Sequence, residues 1–192
     1  MSLTNSTMLS LGTELPHFEL LDVVTVKIIT PTEFADREGL LIMFICRHCP
    51  YVVHVQKELA QLGRNYETKG LGIVAISSND IQSYPNDCPD QLKAMAKELG
   101  FVFPFCFDES QDVAKLFTAA CTPDFFLFNQ ERKLVYRGQL DDSRPGNNKP
   151  VTGKDLRAAI IAMLAGQNID QQQQPSTGCN IKWKPGNAPA YA

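Results

Sequence analysis

Two cysteines separated by two residues carry the most recognisable chemistry of this chain: Cys46 and Cys49 enclose Arg47 and His48. The thiolate is the attacking form in thiol-disulfide exchange, and a second thiol one helical turn away can resolve the mixed disulfide by intramolecular attack. The spacing therefore predicts a two-electron thiol-disulfide centre. We assign Cys46 as the nucleophile, because it lies at the exposed N-terminal end of the pair, and Cys49 as the resolving thiol.

The segments around the pair predict how these thiols are tuned. An apolar run at residues 40–45 ends at the first cysteine, and the next segment has helical periodicity, so the pair lies at a strand-to-helix junction. The positive end of the helix favours an anion, and Arg47 adds fixed positive charge. We therefore expect the pKa of Cys46 to lie below that of a free cysteine. His48 either adds a pH-dependent positive charge or is an exposed surface residue.

A pair of cysteines at this spacing could also be half of a zinc site. Zinc needs about four ligands, and usually a second pair of cysteines or histidines at similar spacing. His48 and His54 lie close by in the sequence, but the other cysteines are isolated, namely Cys88, Cys106, Cys121 and Cys179. We therefore favour a redox pair that uses no metal and no other cofactor.

Length and composition narrow the class of protein. With 192 residues, of which 44% are hydrophobic, the chain can form one substantial α/β core but not two ordinary domains. The net charge of −3 and the absence of a basic stripe disfavour nucleic acid as a partner. The sequence shows neither a secretory signal nor a stretch long enough to span a bilayer. We expect a soluble, cytoplasmic protein with most of its cysteines reduced and no membrane partner.

Apolar runs alternate with helical stretches, which predicts an α/β architecture. The predicted strands are 18–21 and 23–29, forming an N-terminal hairpin, then 40–45, 71–76 and 101–107, and a second hairpin of 125–128 and 133–138. The predicted helices begin near Pro50, span 89–99, follow an N-cap at Ser110, and run from a cap at Thr152 to about Ala165. The first strand, helix and strand should form a parallel crossover.

The composition changes after Gly166, where a glutamine run at 171–174 is followed by several prolines and glycines. Such residues argue against regular structure. We therefore divide the chain into a domain at 1–166 and an irregular C-terminal tail at 167–192.

The tail nevertheless contains Cys179, Ile181 and Trp183, the only tryptophan of the chain. Exposed apolar side chains gain nothing by staying in water, so we expect residues 179–183 to dock on the body of the domain. Docking beside Cys46 or Cys121 would make Cys179 an additional redox thiol. Alternatively, Cys179 is a bystander in the packing of its neighbours.

The order of elements, with two cysteines after the first central strand, resembles the thioredoxin-like superfamily. Cys121, Thr122 and Pro123 stand just before the second hairpin, where that superfamily has a Thr-Pro pair whose proline is cis and faces the redox cysteines. The chain resembles in particular the redoxin, or peroxiredoxin-like, branch grouped with alkyl hydroperoxide reductase and thiol-specific antioxidant. The resemblance covers about residues 12–166, and the ending at 179–183 is also similar. Other segments that carry it are 44–52, Arg137-Gly138 and 141–144.

The resemblance implies a thioredoxin-like fold: a central mixed sheet with helices on both faces, an N-terminal β-hairpin and an irregular C-terminal tail. It implies a thiol-disulfide oxidoreductase that acts on protein or small-molecule disulfides and is recycled by a thiol reductant. Pro123 would present the backbone of Thr122 to an extended substrate. Cys121 is either a third redox thiol or a small packed hydrophobe. The oligomeric state stays open.

Three departures from the superfamily pattern affect the expected chemistry. Ile45 replaces the usual tryptophan before the first cysteine. The preceding strand has no buried carboxylate to accept a proton from the second cysteine, so we expect His48 or water to do so. Neither Met43 nor Cys46 is the threonine that peroxiredoxins have three residues before the reactive cysteine. Two alternatives remain: a thiol peroxidase that reduces hydroperoxides, and a non-catalytic thioredoxin-like module for binding or metal handling.

Overall fold

A computed structural model describes residues 3–192, which form ten strands and four α-helices. The strands are β1 (Leu3–Asn5), β2 (Leu20–Asp22), β3 (Ile28–Ile29), β4 (Gly39–Phe44), β5 (Leu71–Ser77), β6 (Phe105–Phe107), β7 (Cys121–Thr122), β8 (Asp124–Asn129), β9 (Leu134–Tyr136) and β10 (Thr177–Asn180). The helices are α1 (Pro50–Tyr66), α2 (Pro89–Leu99), α3 (Asp112–Leu116) and α4 (Lys154–Leu164). None of the helices within residues 3–192 combines the length and the apolar composition that crossing a bilayer requires.

The main sheet has seven strands in the order β3-β2-β6-β5-β4-β8-β9. Strand β4 lies beside the central strand β5. It pairs in parallel with β5 and antiparallel with β8, and α1 connects β4 to β5 as predicted. Both central strands are buried along their whole length, which is the pattern of strands covered on both faces. The predicted N-terminal hairpin is formed by β2 and β3, and the second hairpin by β8 and β9.

Alternate residues of β4 contribute to two separate hydrophobic cores, because successive side chains of a strand point to opposite faces. Leu41 and Met43 join the core that also contains most of the buried residues of α1, α2 and α4. Ile42 and Phe44 join the other core, which includes Phe117 at the end of α3. The predicted thioredoxin-like architecture, a mixed sheet with helices on both faces, is therefore confirmed.

Two helices begin later than predicted. Ser110 and Thr152 were expected to be N-caps, but α3 and α4 begin two residues after them, at Asp112 and Lys154. The hydroxyl oxygens of Ser110 and Thr152 still accept the N–H of the first helical residue, at 3.1 and 3.3 Å. In both cases one residue with positive φ is inserted between the hydroxyl residue and the helix. These residues are Gln111 (φ 68) and Gly153 (φ 65).

The C-terminal tail docks on the body of the domain, as predicted. Its strand β10 lies between β1 and β7 in a second, three-stranded sheet. Cys179 is 3% exposed and Ile181 is 1% exposed, whereas Trp183 is only half-buried and packs edge-to-face with Tyr191. The tail is irregular apart from β10.

We expect Ile181→Ala to lower the free energy of unfolding by about 2–5 kcal/mol, because the shortened side chain would leave a cavity in the core. The matched control is Ile161→Ala on α4, where the side chain is 57% exposed and the loss should stay within about 0.5 kcal/mol. Urea unfolding followed by circular dichroism measures both. Equal losses for the two variants would contradict the docking of the tail.

Candidate redox site

The two cysteines lie between the end of β4 and the start of α1, as the sequence predicted. The strand ends at Phe44, and Cys49 is the N-cap of α1, with extended backbone immediately before Pro50. Proline suits the first helical position because its missing N–H would have no partner there. Cys46 and Cys49 both have 0% exposure, so the expected exposure of Cys46 is wrong.

Cys49 is the thiol that this site stabilises as an anion. A hydrogen bond from the Cys46 thiol is the largest cause that lowers the pKa of Cys49 to about 4. Burial opposes this shift, while hydrogen bonds from Cys179, Thr122 and the N–H of Val52 support it. Because Cys49 is the N-cap, it also lies at the positive end of α1. When protonated, its thiol donates to the carbonyl oxygen of Thr122 at 3.1 Å.

Cys46 has the opposite character. Burial is the largest cause that raises the pKa of Cys46 well above its usual range, followed by its hydrogen bond to Cys49 and the negative charge of Asp87. Its Sγ lies 3.5 Å from Oγ1 of Thr122 and 3.9 Å from Nδ1 of His48. The expectation of a lowered pKa at Cys46 is therefore wrong. Since the helix begins after Cys49, the stabilising N-terminus acts on Cys49 and not on Cys46.

Asp87 is a buried carboxylate that the sequence analysis missed. It lies in a short 3-10 turn before α2, and its Oδ1 accepts the N–H groups of Arg47 at 2.8 Å and His48 at 3.0 Å. Its Oδ2 binds Nδ1 of His48 at 2.5 Å and accepts from Nδ2 of Asn79 at 2.8 Å. Burial raises its pKa, but the hydrogen bonds from His48 and Asn79 outweigh burial, so the pKa of Asp87 is lowered. Asp87 thus stays charged and holds the loop between the cysteines.

His48 is part of this buried cluster. Its side chain is 13% exposed and stacks on Tyr84 with 4.8 Å between ring centroids, so the alternative of an exposed histidine is wrong. Donor atoms of Cys46, His48 and Asp87 lie within 4.8 Å of one another, as they would around a metal ion. However, the histidine nitrogen and the carboxylate are hydrogen-bonded to each other, and zinc normally takes four ligands. The arrangement therefore fits a hydrogen-bonded cluster better than a zinc site.

Arg47 does not contribute in the predicted way. Its guanidinium donates to the carbonyl oxygen of Gln91 at 3.1 Å and forms a 3.2 Å salt bridge with Glu98, both on α2. The side chain therefore ties the loop to α2. The positive charge of Arg47 is paired with the carboxylate of Glu98.

Thr122 lies against the thiols, and its peptide bond to Pro123 is cis, as the resemblance implied. Thr122 contacts both cysteines of the pair, Cys46 through its hydroxyl and Cys49 through its carbonyl oxygen. Cys121 is different. Its thiol donates to the carbonyl oxygens of Pro123 at 3.6 Å and Ser176 at 3.9 Å, and burial raises its pKa well above the usual range.

Cys179 joins the redox pair. It lies on β10 directly opposite Thr122, and its thiol is hydrogen-bonded to Cys49. Burial raises the pKa of Cys179 to about 12, which keeps it protonated and able to donate to the Cys49 thiolate. The structure therefore brings together three of the candidate thiols, Cys46, Cys49 and Cys179, around Thr122.

The chain is similar to a known protein family and to several solved structures. The model of the AhpC/TSA family matches residues 11–137. No match was found among curated proteins. The chain is 49% identical to an uncharacterised conserved protein from Geobacillus kaustophilus, with a TM-score of 0.95 over 97% of this chain and 98% of that one. It is 48% identical to a hypothetical protein from Sinorhizobium meliloti, with a TM-score of 0.94 over 95% of this chain and 100% of that one.

More distant structures share the fold. A thiol:disulfide interchange protein of the thioredoxin family from Chlorobium tepidum is 14% identical, with a TM-score of 0.63 over 81% of this chain and 98% of that one. At this level of identity the likeness concerns the fold.

We expect Cys46→Ala to raise the pKa of Cys49, because the largest stabilising hydrogen bond is lost. A hydrogen bond to a charged group contributes about 1.5–3 kcal/mol, which corresponds to roughly one to two pKa units. Less thiolate should therefore be present at mildly acidic pH, which the ultraviolet absorbance of the thiolate measures during a pH titration. Cys106→Ala, in the other core, is the control. An unchanged titration in Cys46→Ala would contradict the assigned hydrogen bond.

We expect Asp87→Ala to lower the free energy of unfolding by about 2–5 kcal/mol, because two partly buried N–H groups lose their acceptor. The control is Asp36→Ala, whose carboxylate is 80% exposed and should matter little. Urea unfolding at neutral pH compares the two. A loss at Asp87 no larger than at Asp36 would show that the loop is held by other contacts.

Proposed function

The chain belongs to the AhpC/TSA family, and from this premise we propose that it is a thiol-disulfide oxidoreductase whose Cys46-Cys49 pair cycles between dithiol and disulfide. The observation that carries the proposal is the hydrogen bond between two thiols of opposite acidity at the N-terminus of α1. In this proposal Cys49 is the nucleophilic thiolate, and Cys46 stays protonated until it resolves the mixed disulfide.

In this proposal Cys49 attacks the substrate disulfide, which reverses the roles assigned from the sequence. The Cys49 thiolate forms a mixed disulfide and releases one substrate thiolate. Cys46 then attacks Sγ of Cys49, so that the Cys46-Cys49 disulfide forms and the second substrate thiolate leaves. The substrate disulfide is thereby reduced by two electrons, and an external thiol reductant restores the pair.

The second step requires Cys46 to lose its proton. Once Cys49 carries the substrate it is no longer an anion, so one cause that raises the pKa of Cys46 disappears. The charged carboxylate of Asp87 lies within 4.8 Å of Sγ of Cys46, and Nδ1 of His48 lies 3.9 Å from it. We propose that the hydrogen-bonded pair of His48 and Asp87 accepts this proton, which extends the acceptor role expected of His48.

The substrates in this proposal are protein or small-molecule disulfides. Both thiols are fully buried, so a substrate reaches them only when a covering group moves. A dithiol that acts as a reductant must itself be kept reduced, which is easiest in a reducing compartment such as the cytoplasm.

A second candidate function is the reduction of hydroperoxides, which the low pKa of a single buried thiolate favours. The Cys49 thiolate would take the terminal OH of the peroxide and become a sulfenic acid, while an alkoxide would leave and take up a proton from solvent to give an alcohol. Cys46 would then condense with the sulfenic acid to give the disulfide and water.

Two variants made in a Cys179→Ser background separate the roles, because Cys179 also contacts Cys49. We expect Cys49→Ser to reduce the turnover of a small disulfide to the uncatalysed background. Cys46→Ser should accumulate a mixed disulfide at Cys49, which intact-protein mass spectrometry detects. Cys106→Ser, which removes a thiol buried in the other core, should keep full activity.

The same variants discriminate between the two functions. Trapped substrate on Cys46 in the Cys49→Ser variant would reverse the assignment of roles. Sulfenic acid at Cys49 after addition of hydroperoxide, with no turnover of disulfides by the wild type, would favour the peroxidase.

A further inference from the structure

The C-terminal strand β10 pairs with β7 and places Cys179 next to Cys49. Cys179 lies opposite Thr122, and Asn180 lies opposite Cys121, in an antiparallel register. The approach is close: a Cβ added to Gly178 would lie 2.0 Å from the carbonyl oxygen of Thr122. Only glycine permits this distance, so β10 lies directly on the backbone segment that contacts both cysteines of the pair.

Contacts on both sides hold β10 in this position. Oγ of Ser176 donates to the carbonyl oxygen of Pro123 at 2.6 Å, and the N–H of Ile181 donates to the carbonyl oxygen of Ala120 at 3.1 Å. The other edge of β10 pairs with β1. These bonds fix Cys179 next to Cys49, so the contact between the two thiols is built into the fold.

An extended peptide binds a protein edge by adding a strand, with main-chain hydrogen bonds for affinity and alternate side chains for specificity. The edge beside the redox pair is already filled in this way by residues 177–180, and the residue opposite Thr122 is a cysteine. We propose that β10 is a resident, substrate-like strand, and that Cys179 takes over the disulfide from Cys46 by attack on Cys49. The inference rests on the proposed function for the formation of the first disulfide.

The transfer is an isomerisation with no net change in electrons. Sγ of Cys179 attacks Sγ of Cys49 in the Cys46-Cys49 disulfide, so that a Cys49-Cys179 bond forms and the Cys46-Cys49 bond breaks. Cys46 leaves as a thiolate and takes up the proton that Cys179 loses. Cys49 is the sulfur attacked, because Cys179 is hydrogen-bonded to it.

The groups near Cys179 fit its role as an attacking thiol. Burial, the hydrogen bond to Cys49 and the negative charge of the Cys49 thiolate raise the pKa of Cys179, whereas the positive charge of Lys182 lowers it. The two contributions from the Cys49 thiolate are absent once Cys49 is part of a disulfide. The ammonium group of Lys182 is itself held by the carbonyl oxygen and side-chain oxygen of Asn180, at 2.9 and 2.6 Å. Once displaced, the Cys46 thiolate takes up the proton that Cys179 loses, because the pKa of Cys46 is raised well above its usual range.

The docked strand also limits the substrates. While β10 pairs with β7, an extended peptide cannot form the same main-chain hydrogen bonds to Thr122. A peptide that pairs with this edge must therefore first displace β10.

Diamide, which oxidises two thiols to a disulfide, tests the transfer without any substrate turnover. The chain has six cysteines, so Cys46→Ser has five thiols, and we expect three after oxidation, with Cys49 and Cys179 linked. Cys46→Ser/Cys179→Ser should keep all four of its thiols. Cys46→Ser/Cys121→Ser is the matched control and should still lose two. Thiol counting after unfolding in acid and mapping of linked peptides by mass spectrometry give the answer.

Wild-type protein oxidised in the same way and quenched with acid should contain the Cys49-Cys179 link beside the Cys46-Cys49 link. Adding Gly178→Ala to Cys46→Ser should slow the loss of thiols, since the new methyl group would push β10 away from Thr122. Five remaining thiols in oxidised Cys46→Ser, a link from Cys49 to Cys121, or only Cys46-Cys49 in the wild type would overturn the inference.

Thiol counts and disulfide mapping do not depend on substrate turnover, so failure of the Cys179 inference can be told apart from failure of the proposed function. If the wild type turns over disulfides while Cys46→Ser keeps five thiols, the role of Cys179 is contradicted and the oxidoreductase function is not. A wild type that forms both links but turns over no disulfide would support Cys179 as an exchange partner and contradict the oxidoreductase.

Discussion

A buried negative charge on Cys49 is the constraint on which the rest of the site depends. A thiolate taken out of water is costly unless hydrogen-bond donors replace the lost solvent. Four donors do so, and each belongs to a different part of the fold: Cys46 follows β4, Val52 is in α1, Thr122 is in β7 and Cys179 is in β10. The anion is therefore stable only when the central sheet, the first helix and the C-terminal tail are assembled together.

Asp87 supplies a second buried charge on the other side of Cys46. Four hydrogen bonds to its oxygens keep it ionised, two of them from the backbone of the loop between the cysteines. Cys46 thus lies between two anions, which makes loss of its own proton unfavourable in the reduced state. The same arrangement couples the two thiols. When Cys49 reacts, one of the two negative charges disappears and the pKa of Cys46 falls.

The C-terminal strand links the stability of the fold to this chemistry. β10 adds a hydrogen-bond donor to the buried Cys49 and completes a small sheet with β1 and β7. Any movement that exposes the pair to a large substrate therefore also removes part of the stabilisation of the thiolate. While β10 is docked, its own Cys179 serves as the exchange partner of Cys49.

Much of the fold could be predicted from the sequence, because the signals are local. The apolar runs of β4 and β5, the periodicity of α1 and the Thr122-Pro123 pair all depend on neighbouring residues, and each was found where expected. The location of Cys46 and Cys49 at a strand-to-helix junction followed from the same patterns. Even the docking of the tail followed from the apolar residues it carries.

Tertiary structure alone decided which cysteine is the anion and which groups surround it. The pKa of a thiol depends on burial and on donors that approach through space, and those donors lie far away in the chain. Thr122 is 73 residues from Cys49, and Asp87 is 39 residues from His48. No local pattern connects such residues. The sequence therefore determined the type of chemistry, and the packing of distant segments determined which atom carries it out.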